Sequence, residues 1–100
     1  MPYTYRTIAD VKRANKEIGH YWFTPETMRF WDSKIETGLI RGKYFVTSER
    51  THDGQGRPYT LRQANPDGTI ATVGGFQAHD TLSGAIAAAY DEAEQSKAAI

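Results

Sequence analysis

The chain has no cysteine among its 100 residues, so disulfides and thiolate metal ligands are excluded. No apolar run approaches the length of a transmembrane helix, and residues 1–6 lack the apolar stretch of a signal peptide. The hydrophobic fraction of 39% and the charged fraction of 24% are those of an ordinary globular protein, which argues against disorder. We therefore expect one cytoplasmic domain spanning residues 1–100.

The chain also has no excess of positive or negative charge. The formal charge is zero, which argues against a strongly electrostatic partner, but the average conceals a division along the chain. Residues 1–64 hold eleven Lys and Arg against seven Asp and Glu, a balance of +4, whereas residues 65–100 have a balance of −4. If the fold separates these parts, the molecule has a basic side and an acidic side.

Two amphipathic patterns predict helices near the ends of the chain. Thr7 and Asp10 have the spacing of a capping box, and apolar residues recur at helical intervals after them, so a helix is predicted over residues 8–18. A second helix is expected after a cap at Asp80 or Thr81. Its apolar stripe comprises Leu82, Ala85, Ile86, Ala89, Tyr90 and Ala93.

Between these helices the apolar residues alternate with period two. Residues 43–50, 58–64 and 69–75 read as three strands of an antiparallel meander, joined by a polar loop at 51–57 and a turn at 65–68. Thr24 and Pro25 suit a single helical turn, and residues 28–36 show an imperfect pattern that predicts a further strand. The expected fold is α+β: a four-stranded, mainly antiparallel sheet with both helices packed on one face.

No cluster of residues carries an obvious reaction. The three histidines lie at separate junctions and form no close pair, so we expect no metal site. Ser48 and Glu49 are adjacent on a strand and point to opposite faces, so they cannot act together, and we interpret them as solvent-facing polarity at a strand end. The prediction is a protein that is not an enzyme and has no cofactor.

Basic and aromatic residues interleave across the sheet region, and this mixture has two interpretations. Arginines and aromatic rings track phosphates and stack on bases in nucleic-acid binding proteins. The same residue types dominate the hot spots of protein interfaces. For either partner, the residues expected to make contact are Trp31, Arg41, Lys43, Tyr44, Arg50, Arg57, Tyr59 and Arg62.

Four segments together resemble a known family: residues 11–16, 25–30, 42–49 and 67–77. The chain is similar over nearly its whole length to short uncharacterised proteins of bacteriophages, prophages and plasmids. That resemblance implies no catalytic residues. It implies an accessory role in the cytoplasm of a bacterial host, such as binding and blocking a host or defence protein, with nucleic-acid binding as the alternative. We expect a monomer or a small homo-oligomer without membrane contact.

Overall fold

In the computed structural model, which describes residues 2–30 and 32–98, helices flank a four-stranded antiparallel sheet. The strands lie in the order β1-β2-β3-β4, so each pairs with its neighbour in sequence. This confirms the predicted α+β class and the meander. The elements are α1 (Ile8–Glu17), α2 (Pro25–Phe30), β1 (Lys34–Ile35), β2 (Tyr44–Ser48), β3 (Tyr59–Ala64), β4 (Ile70–Val73) and α3 (Leu82–Ala98).

The strand predicted over residues 28–36 is shorter than expected. Thr24 caps the start of α2: its hydroxyl accepts from the Thr27 amide at 3.3 Å and its carbonyl from the Met28 amide at 3.0 Å. The helix then continues to Phe30, which takes residues 28–30 out of the predicted strand. The strand itself is limited to Lys34 and Ile35, opposite Ser48 and Thr47, and the Glu36 amide adds one bond to the Val46 carbonyl at 2.8 Å. The imperfect alternation at 28–36 thus reflects a helix followed by a two-residue strand.

The two long helices lie on opposite faces of the sheet, and the prediction that both pack on one face is wrong. Val11 of α1 packs in a cluster with Phe45, whereas Ala85 and Ala89 of α3 pack with Tyr44 and with other residues of that second cluster. Successive strand residues point to opposite faces, and all five residues of β2 are buried. A strand buried on both sides needs a covering layer on each face.

The opposite placement of the helices also separates the charges. Lys12, Arg13 and Lys16 are exposed on α1, whereas Asp91 and Glu94 are exposed on α3. The exposed charges of α1 are thus mainly basic and those of α3 mainly acidic, although Arg41 and Lys43 also lie on the α3 side of the sheet. In the described part of the chain, no helix is both long enough and apolar enough to cross a membrane.

The capping box predicted at Thr7 is present, and it makes the stability of α1 depend on pH. The Asp10 amide donates to Thr7 Oγ1 at 3.3 Å, and the Thr7 amide donates to Asp10 Oδ2 at 3.2 Å. The pKa of Asp10 is lowered first by the backbone amide of Arg6, then by that of Thr7, and further by Arg13.

We expect Asp10→Asn to be less stable than the wild type at neutral pH, with a difference that shrinks in acid. A carboxyl whose folded pKa is depressed stabilises the fold above its unfolded pKa, and this contribution is lost as pH falls through the folded value. Chemical unfolding across the acid range measures the difference, with Glu94→Gln at an exposed position of α3 as the control. A difference that is constant with pH would contradict the assignment.

Candidate functional site

Two adjacent hollows open beside the sheet on the face of Phe45, and they share the ring of Phe76. The larger has a volume of about 430 Å³. The smaller, of about 240 Å³, is lined by Trp22, Arg62, Thr72 and Phe76. The residues around the larger are Phe30, Asp32, Arg50, Thr51, His52, Phe76 and Gln77. We call these two hollows together the Phe76 groove.

A buried ion pair forms the floor of the Phe76 groove. Arg62 NH2 lies 2.8 Å from Glu49 Oε1, and the two side chains are only 9% and 1% exposed. The hydroxyls of Thr47 and Thr60 donate to the two carboxylate oxygens of Glu49 at 2.6 and 3.0 Å. Arg62 also donates to Thr47 Oγ1 and Thr72 Oγ1, at 3.1 and 2.6 Å. Across the described residues every buried side-chain polar atom has a partner, so this network is satisfied.

Aromatic rings cover the guanidinium of Arg62 on the groove side. Its central carbon is 5.3 Å from the centre of the Trp22 ring and 5.7 Å from that of Phe76. A cation at this distance is attracted to the negative ring faces. Arg62 is thus held between the Glu49 carboxylate on the sheet side and the two aromatic rings on the groove side. Its contact with the Phe76 ring positions that ring at the groove surface.

The residue after Phe76 is held in a strained backbone conformation. Gln77 has φ of 56°, in the left-handed region that residues other than glycine seldom adopt. Its backbone N–H donates to Thr60 Oγ1 at 2.9 Å, and its side-chain amide donates to the Glu49 carbonyl at 2.9 Å. Such strain persists where surrounding contacts impose it, and it concentrates at functional sites. The buried network thus fixes the loop that presents Phe76.

The opposite wall of the groove has the same combination of strain and ion pairing. Asp32 has φ of 50°, and its carboxylate accepts a hydrogen bond from Arg57 and forms an ion pair with Arg50 at 3.2 Å. The Arg57 guanidinium donates to the Asp32 carbonyl as well, at 2.8 Å. Nearby, Phe30 is 77% exposed and Phe76 is 46% exposed. Two exposed rings therefore flank a partly neutralised charge cluster.

The predicted partner-binding residues divide between the two sides of the sheet. Arg50, Arg57 and Arg62 lie at or beneath the Phe76 groove, whereas the other described members lie towards α3. On that side, Arg41 stacks over the Tyr90 ring at 5.3 Å and Lys43 over the Tyr44 ring at 5.7 Å. The predicted set therefore does not form one surface. Trp31 lies outside the described residues.

Within the predicted set Tyr44 and Arg62 are buried and Tyr59 is partly buried, although Arg62 still lines the smaller hollow of the groove. Tyr44 is 2% exposed and Arg62 is 8% exposed, and Tyr59 packs partly buried against the cluster that contains Tyr44. Burial, followed by the charge of Glu92, raises the pKa of the Tyr44 hydroxyl. Because no partner can reach its side chain, Tyr44 is removed from the candidate contact residues.

The interpretation of Ser48 and Glu49 as solvent-facing is also wrong, although their opposite orientation is confirmed. Both side chains are fully buried: Ser48 Oγ donates to Glu36, and Glu49 pairs with Arg62. No group of three His, Asp or Glu side chains within residues 2–30 and 32–98 could hold a metal ion. The absence of catalysis remains a prediction.

Sequence reasoning missed most of the groove. The predicted contact residues did not include Trp22, Phe30, Asp32, Phe76 or Gln77, which line the groove. The one local signal was the pair of glycines directly before Phe76, which mark a chain reversal able to expose the next side chain. The convergence of Asp32 and Arg50 depends on tertiary structure alone.

Comparison with known proteins places the chain in a family without assigning it an activity. The model of DUF7447, a family of unknown function, matches residues 7–90, so the chain belongs to that family. The match runs from the cap of α1 into α3 and includes both walls of the Phe76 groove. Searches of curated proteins and of solved structures each found no match.

Proposed function

We propose that this member of the DUF7447 family is a non-enzymatic binding protein of phage or mobile-element origin that occupies a surface of a host or defence protein in the bacterial cytoplasm. The Phe76 groove is the proposed contact surface. The observation that carries the proposal is the fixed presentation of two exposed aromatic residues, Phe30 and Phe76, beside an arginine–aspartate cluster. Aromatic and arginine side chains are the residue types that dominate protein interface energetics.

Rigidity of the groove supports binding. The Gln77 loop is held by hydrogen bonds to Thr60 and Glu49, and the Asp32 turn is held by Arg57. A surface that is ordered before binding loses less conformational entropy when a partner docks. Positive φ angles at Gln77 and Asp32 raise the conformational free energy of the folded chain. In this proposal the strained turns are kept because they place the nearby phenylalanines at the groove surface.

The ion pairs favour a protein partner over nucleic acid. Nucleic-acid binding depends on cations that neutralise phosphates and release counterions. At the groove, however, Arg50 and Arg57 are paired with Asp32, and Arg62 is paired with Glu49. The acidic helix α3 would also repel a phosphate backbone that approached the opposite face. The three arginines against the two carboxylates of Asp32 and Glu49 leave a net charge of only +1, and a polar rim around an apolar centre is usual for a protein–protein interface.

Affinity capture from a lysate of the bacterial host tests the proposal. We expect the wild type to retain a protein in the presence of nuclease and with little dependence on salt, because aromatic contacts rather than phosphate contacts hold it. Phe30→Ala should weaken the retention by roughly tenfold or more, as truncation of a hot-spot aromatic does. Tyr90→Ala is the control, because Tyr90 is also an exposed aromatic residue, 45% against 77% for Phe30, and it lies on the α3 side.

A second experiment measures phage growth in a host strain in which the captured protein is part of a defence system. Expression of the wild type should restore growth of a phage that the system restricts, and Phe30→Ala should not. Steeply salt-dependent binding to random-sequence DNA or RNA, or capture abolished by nuclease, would favour the nucleic-acid alternative. Equal capture by Phe30→Ala and the wild type would overturn the assignment of the groove, and retention of no protein would overturn the proposal itself.

A further inference from the structure

One edge of the sheet leaves backbone groups unpaired. The Asn65 amide donates to the Thr69 carbonyl at 2.9 Å, which is a bonded pair of the β3–β4 ladder. Bonded and non-bonded pairs alternate along antiparallel strands. From the register of β3 and β4, the next bonded pairs are Gln63 with Ala71 and Leu61 with Val73.

The alternation leaves Ile70 and Thr72 with their N–H and C=O groups directed away from β3. Since β4 is the last strand of the sheet, these groups point out of its edge. Among residues 2–30 and 32–98, no other segment donates to them or accepts from them. This edge therefore offers two donors and two acceptors at the spacing of a further strand.

Along β4 itself the sequence lacks most of the devices that prevent edge pairing, although the chain leaves the edge at residues 74–78 before His79 pairs with Tyr59. Edge strands are protected by charged side chains, by proline, by a bulge or by extreme shortness. Residues 69–78 contain neither a charged residue nor a proline. By contrast, the edge strand β1 has only two residues, and one of them is Lys34. The two edges of one sheet thus differ in their protection, and only the β4 edge is suited to accept a partner strand.

We propose that β4 pairs antiparallel with β4 of a second copy of this chain, giving a symmetric dimer with a continuous eight-stranded sheet. The two-fold axis passes between the two Ala71 residues. In that register Ile70 of each copy bonds with Thr72 of the other, so all four outward groups of each strand are satisfied. This inference concerns the β4 edge and does not rest on the function proposed for the groove.

The chemistry of the edge favours a second copy over an unrelated strand. Antiparallel self-pairing sets Ile70 opposite Thr72, and β-branched residues pack well across a strand pair. It sets Ala71 opposite Ala71, where the small side chains allow close approach, and it brings no like charges together. An axis perpendicular to the sheet keeps both α1 helices on one face of the sheet and both α3 helices on the other. Because the paired strand is short, the dimer should be concentration-dependent.

Sedimentation velocity over a range of protein concentrations tests the dimer. Residue 71 faces its own copy across the axis, so Ala71→Lys and Ala71→Glu each place like charges opposite one another and should be monomeric. An equimolar mixture of the two variants should restore the dimer, because lysine then opposes glutamate. Ala87→Lys, at an exposed position of α3, is the matched control and should dimerise like the wild type.

Amide exchange provides an internal control for the position of the interface. The amides of Ile70 and Thr72 should exchange quickly at low concentration and become protected as the dimer forms, whereas those of Ala71 and Val73 are protected throughout. A monomeric wild type at the highest concentration would overturn the proposal. So would a dimer that persists in Ala71→Lys, or a mixture that fails to restore dimers when both variants keep the wild-type circular dichroism spectrum.

Discussion

Arg62→Met should lower the free energy of unfolding by about 3–5 kcal/mol, because it leaves the buried carboxylate of Glu49 without its cation. Glu49 is fully buried, and the ion pair with Arg62 is its only charged contact among the described salt bridges. The threonine hydroxyls that remain satisfy the geometry of the carboxylate but do not neutralise its charge. Urea unfolding of the two proteins under the same conditions measures the difference.

A double variant separates the lost charge from the lost packing. Arg62→Met with Glu49→Met removes both charges, and replacement of a buried ion pair by apolar side chains of similar size is often nearly neutral. We expect the double variant to be more stable than Arg62→Met alone. Thr72→Val removes one hydrogen bond to Arg62 and should cost less than Arg62→Met. If the double variant were as unstable as the sum of its single changes, packing rather than the ion pair would be responsible.

The strands were predictable because their signals are local. Strand periodicity by itself puts Tyr44 and Val46 of β2 on one face and Phe45 on the other, and the structure has the same division. The capping box at Thr7 was visible from spacing alone. The assignment of the helices to faces failed because both faces of β2 carry apolar residues, so the pattern does not say which helix covers which face.

Only part of the buried ion pair beneath the candidate site could be predicted from the sequence. Alternation placed Thr47 with Glu49, and Thr60 with Arg62, on common strand faces. Without the register between β2 and β3, nothing indicated that the two pairs share one face and that Glu49 meets Arg62. A polar residue near a strand end was therefore assigned to solvent. The walls of the groove, formed by Asp32 and the Phe76 loop, depend on turns in which Asp32 and Gln77, which are not glycines, also adopt positive φ angles.

The second large loss of stability is expected from a substitution where α3 packs on the sheet. Ala85 and Ala89 are fully buried against Tyr44, Val46 and Leu61. These small side chains let the helix backbone lie close to β2 and β3, and the surrounding cluster offers no cation to a carboxylate introduced there. A larger charged residue would have to displace the helix or remain buried without a partner.

Ala89→Glu should therefore destabilise the protein by about 3–5 kcal/mol, through an unpaired buried charge and overpacking together. Ala87→Glu introduces the same side chain two residues earlier on the exposed side of α3, and its effect should stay within about 0.5 kcal/mol. Thermal and urea unfolding of both variants, with far-ultraviolet circular dichroism to check helix content, measure the contrast. A melting temperature of Ala89→Glu close to that of Ala87→Glu would mean that α3 does not pack on the sheet through Ala89.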